Sequence, residues 1–255
     1  MDAYAVRKNP NRMEGGLKPL LGNVKWVSFD LYETLVKAGT RHLVFYLEQL
    51  RKRHRIGINI DELLSLRERI VREVSQGPFI TIKERNAKVM RAIYSRLSID
   101  EPVESAVDFL YQKYFNCPLF DDAKTTLSSL RENGFRLAIA SNCDNKMCDG
   151  ILATHALKFD VVVTSEDVRA YKPNPAVFNV LIERSGVEPA NILHVGDSHT
   201  ADVVGAKGAG LLSCLVQRAG GLPKDPDIGI EPDLIIQKLS DLPAHLTGNT
   251  AQDFR

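Results

Sequence analysis

Residues 24–35 read Val-Lys-Trp-Val-Ser-Phe-Asp-Leu-Tyr-Glu-Thr-Leu. The first six, rich in β-branched and aromatic side chains, predict a strand that stops at Asp30. Four more short apolar runs follow much later, over 136–140, 161–163, 192–195 and 213–216. Helical patterns separate them, over 123–133, 147–154, 175–185 and 202–208, with Gly134 as a stop after the first. Strands alternating with helices predict an α/β fold, a parallel sheet with helices on both faces. Right-handed crossovers then bring the carboxyl ends of all strands to one edge, where such sheets bind ligands.

The stretch between the first and second strands is different. Leu43, Leu47 and Leu50 stand at helical spacing, and Leu63, Leu64, Leu66, Ile70 and Val71 form a second stripe. Plain α/β crossovers are usually far shorter. The expected organisation is a loose arm over 1–22, a sheet core over 23–38 and 119–255, and a helical insert over 39–118.

Composition limits the function classes. Of 255 residues, 44% are hydrophobic and 25% charged, a globular balance. The 33 basic and 32 acidic residues leave a net charge of +1, so bulk attraction to nucleic acid is not expected. No apolar run approaches the roughly 18 residues of a membrane-spanning helix. The opening residues lack the apolar region of a secretory signal. Cys117, Cys143, Cys148 and Cys214 lack zinc spacing, and reduced cysteines in a cytoplasmic protein are expected.

Polar residues collect where strands end. They are Asp30 after the first, Ser141 and Asn142 after the second, and Gly196-Asp197 through Asp202 after the fourth, with Lys172 ahead of Pro173. Acidic, hydroxyl and cationic groups at one sheet edge suit a dianion with a divalent cation. Asp30 is the expected nucleophile. Asp30 and Asp197 would offer oxygens to Mg²⁺. Lys172 would neutralise transferring oxygens and hold Asp30, and Ser141 would hydrogen-bond the remaining oxygens.

These four motifs, in this order, resemble those of the haloacid dehalogenase-like hydrolase superfamily, in its subfamily with a helical cap. The resemblance covers about residues 24 to 245. It implies a Rossmann-like core, an aspartyl nucleophile at Asp30, Mg²⁺ and a mobile helical cap. It also implies that the Tyr32 backbone carbonyl joins Asp30 and Asp197 as a metal ligand, with Asp202 supporting the metal waters. Tyr32, Thr34 and Asn142 are expected to contact substrate.

One position departs from the phosphatase pattern. Family phosphatases usually carry an acid/base Asp two residues after the nucleophile, and here that residue is Tyr32. A phenol with an ordinary pKa of about 10 is a poor base near neutrality. Tyr32 resembles the dehalogenase branch, in which Asp30 would displace halide from a 2-haloacid without metal. The two carboxylates Asp197 and Asp202 point instead to Mg²⁺ and phosphoryl transfer. Both features fit a phosphatase whose small phosphorylated substrate has a leaving group stable as an anion: acyl, aryl or anhydride phosphates. A non-catalytic alternative is a phospho-ligand-binding protein. Glu33 is expected to face away from the site. The basic run 51–55 is expected to be a solvated helix end. His199 is read as a local hydrogen-bonding residue, and His194 as structural.

Overall fold

The computed structural model describes residues 21–218 and 229–248. Most of the expected arm, 1–20, lies outside the described residues, while Leu21 is buried. Six strands form one sheet: β1 (Trp26–Phe29), β2 (Arg136–Ser141), β3 (Val161–Thr164), β4 (Ile192–Gly196), β5 (Leu212–Val216) and β6 (Leu234–Ile236). All pair in parallel, in the order β3-β2-β1-β4-β5-β6.

Side chains alternate across the sheet, as the pleat requires. Val27 and Phe29 of β1 pack on one face with Leu137, Ile139, Leu193 and Val195. Helices α5 (Ala123–Glu132), α6 (Asn145–His155) and α10 (Leu242–Thr247) cover that face. Trp26 turns to the other face with Ala138, Ala140 and Ile192. There α8 (Ala176–Ser185) packs through Val177, Phe178 and Leu181. This is the α/β, Rossmann-like architecture expected from the alternation of strands and helices. One strand was not anticipated: β6 is three residues long, and Ile235 at its centre is exposed. The short helix α7 (Ser165–Val168) was also not anticipated. The helix predicted over 202–208 begins earlier, as a π-helical segment His199–Val204 that continues into α9 (Gly205–Gly208).

Between β1 and β2 the chain forms four helices: α1 (Arg41–Arg53), α2 (Ile60–Val74), α3 (Ile82–Arg96) and α4 (Glu104–Phe115). Capping boxes start two of them, Asn59 with Glu62 on α2 and Thr81 with Glu84 on α3. The helices share a hydrophobic core of their own, built from Leu47, Leu50, Leu63, Ile70, Met90, Ile93 and Leu110. The two chain crossings between insert and sheet lie side by side. The Lys37 N–H donates to the Pro118 carbonyl at 2.8 Å, the Phe120 N–H donates to the Leu35 carbonyl at 2.9 Å, and Val36 bridges Leu119 antiparallel. The basic run ends α1, where Arg51 pairs with Glu48, and Arg53 and His54 with Glu101. All four cysteines are buried and free. Among the described residues no helix is long and apolar enough to cross a membrane.

Candidate active site

Connections from β1 and β4 leave in opposite directions, since β1 leads toward β2 and β4 toward β5. The crevice at such a reversal, outside the carboxyl ends of the strands, is where open α/β sheets bind ligands. Asp30 and Asp197 end the two strands that flank it. The Asp30 N–H donates to the Val195 carbonyl at 2.9 Å, which fastens the start of this loop to β4.

Lys172 is the hub of the cluster. Its buried ammonium donates to Asp30 Oδ1 at 2.8 Å, Asp202 Oδ1 at 2.6 Å and the Ala140 carbonyl at 2.7 Å. Asp202 is also buried. Its Oδ2 accepts from the Ser198 N–H at 2.9 Å, and its Oδ1 lies 3.1 Å from His194 Nε2. His194 Nδ1 lies 3.1 Å from the Ser28 hydroxyl on the neighbouring strand. One oxygen from each of Asp30, Asp197 and Asp202 falls within 4.8 Å of the others.

Burial raises the Asp30 pKa, the nearby Asp202 charge adds to the rise, and Lys172 opposes both. Burial also acts on Asp202, but Lys172 and His194 outweigh it and hold that carboxyl well below the ordinary range. Burial would depress the Lys172 pKa, but the two carboxylates reverse this and keep the ammonium charged. Burial lowers the His194 pKa, so its ring is neutral, with Nε2–H donating to Asp202 and Nδ1 accepting from Ser28. Asp197 is pushed up to about 8 by burial and by the charges of Asp30 and Asp202.

A model of the haloacid dehalogenase-like hydrolase family matches residues 24–210. The chain belongs to that family. It is 32% identical to haloacid dehalogenase-like hydrolase domain-containing protein 3 of Danio rerio, over 64% of this chain and 69% of that one. Matches to the proteins of that name in other vertebrates span between 39% and 55% of their lengths. The chain is also 32% identical to a phosphoglycolate phosphatase of Vibrio vulnificus, over 49% of this chain and 54% of that one. Its fold is that of an L-2-haloacid dehalogenase of Xanthobacter autotrophicus, with a TM-score of 0.71 and 23% identity, covering 89% of this chain and all of the other.

In this hydrolase the remaining sequence-derived residues take varied positions. Ser141 ends β2; its buried hydroxyl lies close enough to Asp30 to favour its ionised form, yet makes no hydrogen bond of ordinary length. The buried Tyr32 hydroxyl likewise has no partner, and its ring packs edge-on against Tyr114 with centroids 5.6 Å apart. Thr34 donates to Asp197 Oδ1 at 3.3 Å, so its hydroxyl faces a carboxylate of the cluster. Asn142 turns to Lys172. Its Oδ1 accepts from the Lys172 N–H at 2.7 Å and its Nδ2 donates to the Lys172 carbonyl at 3.2 Å. Both amide groups thus brace the lysine backbone. Glu33 accepts from the N–H groups of Ala38 and Gly39 at 2.8 and 2.6 Å, and faces away as expected. His199 is a local partner of the Ile230 carbonyl, at 2.7 Å.

Three contributors were not singled out by sequence. His194 supports Asp202 rather than serving the sheet alone. Asp144 and Arg218 tie the loops around the site to other elements. Arg218 donates to Asp122 and to the Thr34 carbonyl, both at 3.1 Å, and lies over the Phe120 ring. The run Asp144-Asn145 resembles any helix start, and Arg218 stands alone after a strand, so neither carried a signal.

The donor set also suits a hard divalent cation. Three carboxyl groups face one ammonium, and the raised pKa values of Asp30 and Asp197 reflect the cost of ionising all three around that single cation. Hard oxygen donors at this spacing fit Mg²⁺. Asp202 is already engaged by Lys172, His194 and the Ser198 N–H, which leaves Asp30 and Asp197 as the ligands with open oxygens.

Proposed function

We propose that this hydrolase is a Mg²⁺-dependent phosphatase acting on a small phosphorylated metabolite through a phosphoaspartate at Asp30. The observation that carries the reading is the gathering of three carboxyl groups, Asp30, Asp197 and Asp202, around the single ammonium of Lys172, which leaves them short of positive charge if all are to ionise. Without a cation such a cluster repels a phosphate. Mg²⁺ held by Asp30, Asp197 and the Tyr32 carbonyl would supply the charge neutralisation that lets two anions meet.

The chain's own residues supply the rest. Lys172 holds Asp30 Oδ1, which leaves Oδ2 to attack phosphorus in line with the departing oxygen. The unpartnered Ser141 hydroxyl is free to donate to an equatorial phosphoryl oxygen. The phosphorus–oxygen bond to the leaving group breaks as the Asp30 ester forms, and water then hydrolyses the ester to phosphate. Asn142 fixes the backbone of Lys172, and with it the position of the ammonium.

Tyr32 sets the limit on substrate. Burial drives its phenol pKa far above the ordinary value, so it does not exchange a proton near neutrality. Glu33 is occupied by the backbone of Ala38 and Gly39. The leaving group therefore departs as an anion, which favours acyl, aryl and anhydride phosphates. The helical insert acts as a cap over this chemistry.

The buried Tyr32 phenol also favours a second reading, displacement of halide from a 2-haloacid by Asp30, since halide leaves unprotonated. The deciding assay is phosphate release from acetyl phosphate and 4-nitrophenyl phosphate, with Mg²⁺ and with chelator. Chelator-sensitive release is the expected result. No release, with halide release from 2-chloropropionate that survives chelator, overturns the phosphatase reading.

A further inference from the structure

The first turn of α3 is fastened to the core at one buried carboxylate. Asp144 accepts from the Ile82 N–H at 2.7 Å and the Lys83 N–H at 2.9 Å, and from the Tyr111 hydroxyl at 3.3 Å. The Tyr171 hydroxyl adds a bond to the Ile80 carbonyl at 2.8 Å. Four contacts thus fix where the start of this helix sits relative to the loops carrying Ser141 and Lys172. Arg85 stands on that same first turn.

Arg85 lies over an aromatic ring of the core. Its guanidinium carbon lies 5.3 Å from the centre of the Tyr171 ring, and Tyr171 precedes Lys172 in the chain. Its charge also acts on Tyr114, where burial raises the phenol pKa and the charges of Arg67 and Arg85 oppose the rise. Tyr114 packs on Tyr32, two residues after Asp30. Arg85 is therefore held against the neighbour of Lys172, and its charge reaches the ring that packs on Tyr32.

Its charge has no counter-ion among the described residues. Among the described residues the half-buried Arg85 guanidinium makes no hydrogen bond or ion pair, only its stack on Tyr171. The other half-buried arginines of the helical insert differ: Arg51 pairs with Glu48 at 3.2 Å and Arg67 with Glu68 at 2.8 Å. A partly desolvated cation without a counter-ion is unfavourable, and an arriving anion relieves it. Guanidinium offers a planar fork that matches a carboxylate, and stacking on an aromatic face leaves its edge N–H groups free.

We propose that Arg85 binds a second anionic group of the substrate, a carboxylate remote from the phosphoryl group, and so selects phosphorylated organic acids over phosphates without that charge. This rests on the phosphatase reading. Asp144 serves it as a positioning residue, because it sets where the first turn of α3 lies.

The test compares phenyl phosphate with 4-carboxyphenyl phosphate, a pair alike in leaving-group chemistry, in the presence of Mg²⁺. Wild-type protein is expected to show kcat/KM about tenfold higher on the carboxylated ester, the scale of a charge-assisted hydrogen bond. Arg85→Ala, a good helix former at this position, is expected to remove most of that preference through KM. Arg85→Lys keeps the charge without the fork and is expected to restore part of it. Equal turnover of the two esters by the wild type overturns the inference and leaves the phosphatase reading standing. So does an Arg85→Ala loss of the same size on both, which would mark a structural role. No turnover of either ester overturns the phosphatase reading and this inference with it.

Discussion

Arg218 places a guanidinium nitrogen 3.1 Å from the carbonyl oxygen of Thr34, on the loop that carries Asp30. The same side chain grips Asp122 with two nitrogens, at 3.1 and 3.3 Å, while Asp122 also accepts from the Leu239 N–H at 2.8 Å. One arginine thus ties the end of β5 to the Asp30 loop, to the chain returning from the insert and to the segment after β6. Arg218→Met should destabilise by about 1–3 kcal/mol, because Asp122 and the Thr34 carbonyl lose their partner. Denaturant unfolding of both proteins checks this.

The same pair gives an acid dependence. Burial alone would raise the Asp122 pKa, but Arg218 and the Leu239 N–H outweigh it, and the pKa is lowered. A carboxyl with a depressed folded pKa binds fewer protons folded than unfolded. Its stabilisation is therefore complete above the unfolded value of about 3.9 and is lost as pH falls through the lower, folded value. Arg218→Met removes that contribution, so the stability gap between the two proteins should be constant near neutrality and narrow below about pH 4. Urea midpoints from pH 7 down to pH 3 would show the convergence; a gap that widens in acid contradicts the assignment.

Asp30→Asn should retain the fold, since Lys172 keeps Asp202 and the Ala140 carbonyl as partners. Loss of the attacking carboxylate should cost at least about 10³-fold in kcat on any phosphate or haloacid that the wild type turns over. A folded Asp30→Asn protein with ordinary turnover would remove Asp30 as the nucleophile in both readings.

Lys172→Met is expected to act on stability as much as on rate. It leaves the buried carboxylates of Asp30 and Asp202 without their shared cation. Breaking a buried pair in this way costs about 3–5 kcal/mol. For a chain of this size that is a fall in Tm on the order of 10 °C. A thermal scan of the purified variant measures it.

Gly196→Ala addresses the fit between β4 and Asp202. A Cβ at Gly196 would stand 2.2 Å from the Asp202 carboxyl carbon, and pairing with Leu215 of β5 holds the backbone on one side. Either Asp202 shifts off Lys172 or the strand bends. The expected cost is about 1–3 kcal/mol, with reduced activity. Tm and turnover of the variant check both, and an unchanged protein would mean that Asp202 moves freely.

The legible part of the molecule is the part with strong period and strong punctuation. β1, β2, β4 and β5 are buried on both faces, so their sequences are continuous apolar runs that end at polar residues. The insert was legible because Leu47, Leu50, Leu63 and Ile70 keep helical spacing and are all buried. β6 escaped because an edge strand of three residues with an exposed centre has too little pattern. Asp30, Lys172, Asp197 and Asp202 stood out as charged residues at strand ends or before a proline. His194 did not, since a histidine inside an apolar strand reads as core; its bond to Asp202 comes from a register that aligns it with Ser28. Asn142 was read toward substrate, and only the fold shows its amide turned onto the Lys172 backbone.

The doorway between sheet and insert has a consequence for how such a chain is assembled. Lys37 and Pro118 are hydrogen-bonded neighbours at 2.8 Å, although 80 residues lie between them. A segment whose two ends meet adds nothing to the separation its host must bridge, so a short β-turn could close the same gap. The insert carries a core of its own, while Ile82 and Tyr111 also pack into the core of the sheet. A segment whose ends meet in this way can vary in length without moving the strand ends that carry Asp30, Ser141 and Asp197.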